Sequence, residues 1–392
     1  MKKILYISPG PPNHLNRIRS LNILKALKDN AEIHLVCLMS DKKDYDYIEK
    51  YNLLYNKTNI FHQPKWLSYV RCSYGLLKRS SLRLSYCDNK GLNHYLSQID
   101  SEQYDTVIIA TLRMAQYAKY FTPEKVWVDL TDSMSLYYSR LSDIKVPLID
   151  RVIGLYEGKI FRKFEQKVLQ TYKTIYCSKV DHTFAQKLVS GNNQLSLIIP
   201  NVVDLEDFPI FEHTDNTPIY KMCYWGMLDA PFNYTAVEIL VNKIFPKLQE
   251  KSSDFRLEII GPNAPEHLLK KQSQLIKFNG YVPDLVQKLS EFDLFVCPLI
   301  LGTGVKNKIL QSIACGLPVL TTSIGAEGIE GIEELAEKKM VVIEDNISLY
   351  PGIINELSQN SQKTDYDEMR NFIEQHYSIN SLRTVLANKG FI

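Results

Sequence analysis

No apolar run in this 392-residue sequence approaches the roughly 20 residues needed to cross a bilayer. The longest run of interest, Leu294–Leu301, is eight residues with a proline inside it. No secretory leader is legible, because MKKILYIS runs straight into Pro9 without a long apolar region or a small-residue cleavage site. The expected location is therefore cytoplasmic. The seven cysteines (37, 72, 87, 177, 223, 297 and 315) are odd in number, widely spaced and never form C-x-x-C. This argues against a disulfide framework or a zinc site. With 17 glycines and 17 prolines the chain is neither collagen-like nor low-complexity. A dinucleotide oxidoreductase is disfavoured, because no G-x-G-x-x-G follows the first expected strand. The strings Asp44-Tyr45-Asp46 and Asp365-Tyr366-Asp367 imitate a metal-holding D-x-D, but both lie in polar, helix-starting stretches and read as surface acids.

One absence is local. Residues 51–87 contain Lys57, Lys65, Arg71, Lys78, Arg79 and Arg83 and not a single acid, and Trp66, Tyr69, Tyr74, Leu76 and Leu77 are interleaved with them. Residues 1–200 carry a formal charge of +11 and residues 201–392 one of −9. A basic, aromatic-rich surface suits anionic lipid headgroups, so residues 57–83 are expected to face an anionic membrane surface. The competing reading is a solvated helix face with core aromatics. A nucleic-acid partner is not expected.

What the sequence has in quantity is alternation of short Val/Ile-rich runs with longer amphipathic ones, the pattern of parallel sheets covered by crossover helices. In the first half the strand candidates are Lys3–Ser8, Glu32–Leu38, Thr106–Ala110, Val126–Leu130 and Thr174–Ser178, with helices over Asn16–Lys28 and Val152–Thr171. A linker is expected over Val202–Pro218, after which the alternation restarts. Strands are expected at Lys221–Gly226, Arg256–Gly261, Ile276–Gly280, Leu294–Pro298, Pro318–Thr322 and Met340–Ile343. Helices are expected at Asn233–Glu250, Asp284–Ser290 and Lys306–Cys315. The fold class is thus α/β with two Rossmann-like domains.

The most informative segment is PLILGTGVKNKILQSIACGLPVLTT, residues 298–322. A buried strand runs into a loop carrying Gly302 and Gly304, and a helix begins near Lys306. Glycine lets backbone approach a ligand closely, and a helix start presents amides and a positive dipole end to an anion. Lys306 and Lys308 add full charges, so the segment suits phosphate oxygens.

Together with IPNVVD (199–204), LEIIGP (257–262), FNGYV (278–282) and IGAEG (324–328), this segment resembles the retaining family-4 glycosyltransferases of the GT-B fold. The similarity is to the bacterial branch that makes surface polysaccharides, and it extends to RMAQY (113–117) and DLTDSMSLYYSRL (129–141). The resemblance implies two domains facing each other across a cleft. Residues 1–204 would bind the acceptor, 205–372 the nucleotide sugar, and 373–392 would form a helix returning to the first domain. It further implies a nucleotide diphosphate sugar as donor, a glycan or lipid-linked acceptor, and no metal or other cofactor.

Carried over by position, Gly302, Thr303, Gly304, Val305 and Lys306 would cradle the diphosphate, and Gly280, Tyr281 and Val282 would hold the base. Gln311 stands where relatives use a glutamate for the ribose, and Thr303 where many have a first glutamate. A plain exposed helix residue is the competing account of Gln311. Gly10 matches a loop over donor phosphate and acceptor, Gly226 ends the first strand of the second half, and Glu327 matches an acid near the sugar ring. No Lys or Arg occupies the stretch Asp229–Asn233 where relatives place a basic phosphate ligand. Arg113 would neutralise the departing diphosphate and Asp132 orient an acceptor hydroxyl, or the two would pair and tie loops together. The expected activity is a retaining, metal-independent glycosyl transfer. The alternatives are a non-catalytic nucleotide-sugar-binding subunit and a GT-B sugar-nucleotide epimerase.

Overall fold

The computed structural model describes residues 1–144, 146–189, 195–211, 220–252, 254–359 and 365–392. The chain divides into two compact units, Met1–Val202 with Ile379–Ile392, and Val203–Ser378. Each is a parallel sheet covered by helices.

Unit 1 contains β1 (Lys2–Ser8), β2 (Ala31–Met39), β3 (Lys57–His62), β4 (Thr106–Ala110), β5 (Val126–Thr131), β6 (Lys173–Tyr176) and β7 (Ser196–Ile198). Their order in the sheet is β3-β2-β1-β4-β5-β6-β7, with every pair parallel. The central strands are apolar almost throughout because both faces are covered. Ile4–Ile7 and Val107–Ala110 are all buried. The sequence reading missed β3 and β7. KTNIFH is polar and only half-buried at the sheet edge, and β7 is three residues long.

The order of the strands reverses direction between β1 and β4, so loops leaving these two strands diverge and open a crevice at their carboxyl ends. Helix Ile18–Leu27 covers one face and sends Arg19 inward to Asp129, with Nε 2.8 and 2.9 Å from the two carboxylate oxygens. Arg19 also donates to the Ile199 carbonyl and to Asn201, joining the ends of three segments. The terminal helix Ile379–Asn388 belongs to this unit and buries Leu382 and Leu386 in the same core cluster as Leu24, Leu27 and Phe391.

Unit 2 contains β8 (Tyr220–Trp225), β9 (Phe255–Ile260), β10 (Ile276–Gly280), β11 (Leu294–Cys297), β12 (Val319–Thr321) and β13 (Val341–Ile343). They are also parallel, in the order β10-β9-β8-β11-β12-β13. The reversal here falls between β8 and β11. The helix expected over Asn233–Glu250 is broken into Pro231–Ile239, a π turn at Leu240–Ile244, and Phe245–Gln249. Pro246 supplies the reason, since it has no amide to give the preceding turn. In the expected linker, residues 203–211 are described and 212–219 lie outside the described residues. Asp44 departs from its reading as a surface acid: it is buried, and accepts from the amides of Ser40 and Asp41 at 2.9 and 3.1 Å. Asp365 caps helix Tyr366–Tyr377.

Candidate functional site

The carboxyl ends of β8, β9, β10 and β11 lie along one edge of the unit 2 sheet, because parallel strands all end on the same side. Gly226, Gly261 and Gly280 sit at three of these ends. They pack tightly: the Gly261 amide donates to the Gly280 carbonyl at 2.8 Å, and a Cβ on Gly261 would lie 1.8 Å from the Gly226 oxygen. The fourth end is the loop 298–306. Gly304 turns it with a φ of 66°, a left-handed conformation that side chains disfavour. Lys306 then caps helix Asn307–Ala314, its ammonium donating back to the Gly304 carbonyl at 2.6 Å. Gly302, Gly304 and Val305 are buried and Thr303 is half-buried.

Lys308, in the first turn of that helix, reaches across the point where strand order reverses. Its ammonium donates to the Asn233 amide oxygen at 2.6 Å and to the Tyr224 hydroxyl at 3.1 Å, 4.5 Å from the centre of the Tyr224 ring. A methyl added to Gly226 would stand 2.9 Å from this nitrogen. Among the described residues no carboxylate pairs with Lys308. Burial pulls its pKa from 10.5 to about 8, and neighbouring Lys306 pushes in the same direction. An ammonium held this way, with only neutral partners, is an electrostatic vacancy for an anion.

Asp229–Asn233 itself holds no Lys or Arg, but Lys308 reaches the end of that stretch from the helix after β11, its ammonium on the Asn233 amide oxygen. The charge of Lys308 was visible in the sequence. Its partners, 84 and 75 residues away, were not.

The remaining donor-side candidates fall as follows. Gln311 is not the plain exposed helix residue that the competing account required: it is 7% exposed, and its amide bonds nothing among the described residues. Tyr281 is exposed and Val282 half-buried beyond the end of β10. Glu327 follows the short helix Ser323–Ala326, which Thr322 caps.

The other candidates lie in unit 1. Gly10 is buried under the Arg17 guanidinium, and its carbonyl accepts from the Ser8 hydroxyl. Arg113 follows β4 and Asp132 follows β5, and the two are not paired with each other. Nothing among the described residues accepts from the Arg113 guanidinium. The preceding residues Thr111 and Thr131 both have left-handed φ values, 74° and 66°. Such values are costly for a β-branched side chain and are found where structure holds a site in place. Asn13 accepts from the amides of Leu15 and Asn16, and His14 packs edge-on against Tyr47. No group of three or more His, Cys, Asp or Glu comes together as metal ligands among the described residues.

Residues 220–357 match the family model described as glycosyl transferases group 1. That segment is a glycosyltransferase group 1 domain. It covers all six strands of unit 2 and the whole of the Lys308 arrangement. The full chain has the GT-B fold. It superposes on HepE of Anabaena in complex with UDP and glucose over 99% of both chains, with a TM-score of 0.65 at 15% identity. It superposes on sucrose-phosphate synthase of Thermosynechococcus elongatus over 99% of this chain and 98% of that one, with a TM-score of 0.71 at 13% identity. In sequence it is 22% identical over 373 residues, 91% of each chain, to a 44.6 kDa protein in the cps region of Klebsiella pneumoniae. That relative agrees with the surface-polysaccharide branch.

Proposed function

We propose that this protein transfers a sugar, with retention of configuration and without a metal, from a nucleotide diphosphate donor held by unit 2 to a glycan or lipid-linked acceptor held by unit 1. The observation that carries this reading is Lys308: a buried ammonium with no carboxylate partner among the described residues, beside the glycine strand ends and the helix start of a glycosyltransferase group 1 domain. In the step proposed, an acceptor oxygen bonds to the anomeric carbon as the bond from that carbon to the diphosphate breaks. The acceptor proton passes to the departing diphosphate. Lys306, Lys308 and the first amides of helix Asn307–Ala314 meet the charge that develops there. Gly302, Thr303, Gly304 and Val305 let the phosphates approach the backbone. Gly280, Tyr281 and Val282 face the base, Gln311 accepts a ribose hydroxyl, and Glu327 contacts the sugar ring. Asp132 orients the acceptor.

UDP is the first nucleotide to test, since UDP occupies the HepE complexes. Calorimetric titration with UDP and GDP should show binding of one of them, and no binding of either at millimolar concentration would overturn the reading. Nucleotide binding without transfer to any acceptor would instead favour a non-catalytic subunit, to which the missing ribose carboxylate at Gln311 points.

We also propose that unit 1 rests on an anionic membrane. The aromatics of residues 57–83 are not in the core: helix Lys65–Leu77 exposes Trp66, Tyr69, Val70 and Tyr74, and Leu77 is 83% exposed. The first turns of helix Leu148–Thr171 expose Leu148, at 77%, with Ile149, Val152 and Ile153. The two regions adjoin, because Tyr156 donates to the Ser80 carbonyl at 2.8 Å and Glu157 accepts from Ser81 and Leu82. No helix among the described residues is long and apolar enough to cross a membrane. Exposed apolar side chains in the same stretch as the exposed cations Lys78, Arg79 and Arg83 suit a surface of acidic headgroups. Changing these three cations to glutamine should release the protein from anionic vesicles, and retention would refute the surface.

A further inference from the structure

Unit 1 has its own cavity where its strand order reverses. It measures ≈ 380 Å³ and is lined by Pro9 and Asn13 after β1, Arg17 at the following helix, Gln63 and Lys65 after β3, and Arg113 after β4. Its charges do not balance. Lys65 is paired with Asp41 at 3.2 Å and Arg17 with buried Asp44 at 3.6 Å. Asp44 already accepts from two backbone amides. The Arg113 guanidinium is left over, donating to nothing among the described residues and close enough to Arg17 to disfavour its charge. Two guanidiniums sharing one occupied carboxylate leave room for a second oxyanion, and guanidinium forks match phosphoryl oxygens. The cavity rim also gives the anion an attachment: Lys65 begins the helix whose next residue, Trp66, is exposed along with Tyr69, Val70 and Tyr74.

We propose that this cavity is a phosphoryl subsite in which Arg113 and Arg17 hold the phosphate of a lipid-linked acceptor while its chain lies along the exposed face of helix Lys65–Leu77. The proposal rests on the acceptor-binding reading of unit 1 and moves Arg113 from the departing diphosphate to the acceptor.

The test uses the whole 392-residue chain with UDP saturating unit 2, titrated with farnesyl phosphate, farnesol and inorganic phosphate. Farnesyl phosphate should bind at least tenfold more tightly than farnesol. Arg113→Gln should erase that preference and Arg113→Lys keep part of it, since lysine retains the charge but not the fork. The Arg113 side chain is half-buried and its guanidinium donates to nothing among the described residues, while the hydrogen bond its carbonyl accepts from Gln116 survives substitution, so both variants should melt as the wild type does. UDP affinity should stay within twofold in Arg113→Gln. Equal binding of farnesol and farnesyl phosphate, or a preference that survives Arg113→Gln, would overturn the subsite. A fall in UDP affinity would return Arg113 to the donor and overturn it too. Arg113-dependent binding of inorganic phosphate with no gain from the prenyl chain would keep the subsite and assign its phosphate to a soluble sugar phosphate. Failure of UDP to bind at all would defeat the nucleotide reading alone, because the same titrations run without UDP still report on Arg113.

Discussion

The two units place a cation at the same topological point, where strand order reverses, and treat it in opposite ways. In unit 1 the arginines near that point are largely compensated: Arg19 is clamped by Asp129 and Arg17 faces Asp44, leaving one guanidinium, Arg113, open to the cavity. In unit 2 Lys308 is held by a phenol and an amide, and Lys306 stands nearby with its ammonium on a carbonyl. Among the described residues, carboxylates thus face Arg19 and Arg17 in unit 1, whereas none pairs with Lys308 in unit 2. A buried cation without such a partner carries a desolvation cost in the empty protein and recovers it only when an anion arrives. Under the proposed reading, unit 2 takes the donor diphosphate and unit 1 a single phosphoryl group.

Substitutions in either unit should shift this balance of charge. Lys306→Ala removes the second cation of unit 2 and should lower donor turnover at least tenfold; unchanged steady-state kinetics would take Lys306 out of the site. The pH dependence follows from Lys308. Its pKa near 8 in the folded protein, against 10.5, means that the free site is charged below about 8 and loses its charge above it. UDP affinity should therefore be flat from pH 7 to 8 and fall by up to about tenfold per pH unit beyond, where bound anion would otherwise hold the proton on. The same group works oppositely on stability. Because the unfolded chain binds its proton more tightly, the cost of burying the charge is present in full below pH 8 and fades toward 10.5. In unit 1, Asp44→Asn frees Arg17 while keeping an acceptor for the Ser40 and Asp41 amides, and should tighten inorganic phosphate a few-fold by titration. The smallest effect is expected at Gln311. Gln311→Glu should preserve nucleotide affinity or raise it a few-fold, since a carboxylate accepts more strongly than an amide; a large loss would mean that Gln311 does not face the ribose.

Much of the scaffold was readable because parallel strands buried on both faces announce themselves as continuous apolar runs, as in Lys2–Ser8, Thr106–Ala110 and Leu294–Cys297. What escaped was whatever lacked that signature: half-buried Lys57–His62, the three residues Ser196–Ile198, and the π turn before Pro246. The glycine loop 302–304 was legible because its chemistry is local, all within a few residues of one helix start. The state of each charge was not. Asp44 looks like a surface acid until the turn after β2 folds its amides over it, Arg113 looks like half of an ion pair with Asp132, and Lys308 shows its charge beside the glycine loop but not that Tyr224 and Asn233 hold it. Only contacts between distant segments separate a compensated charge from a waiting one.

On the proposed reading the protein bears the cost of a buried Lys308 with only neutral partners for the sake of a donor diphosphate. Lys308→Met keeps the length of the side chain and removes its charge, while the Asn233 amide oxygen retains the 2.7 Å hydrogen bond from Tyr224. UDP titration and thermal melting of this one variant test the claim together. UDP affinity should drop on the order of 100-fold, as expected for losing a charged hydrogen-bonding partner, while the melting temperature rises as the buried charge is removed. A variant that binds UDP as tightly as the wild type would contradict the claim, and so would one that melts earlier while binding UDP unchanged.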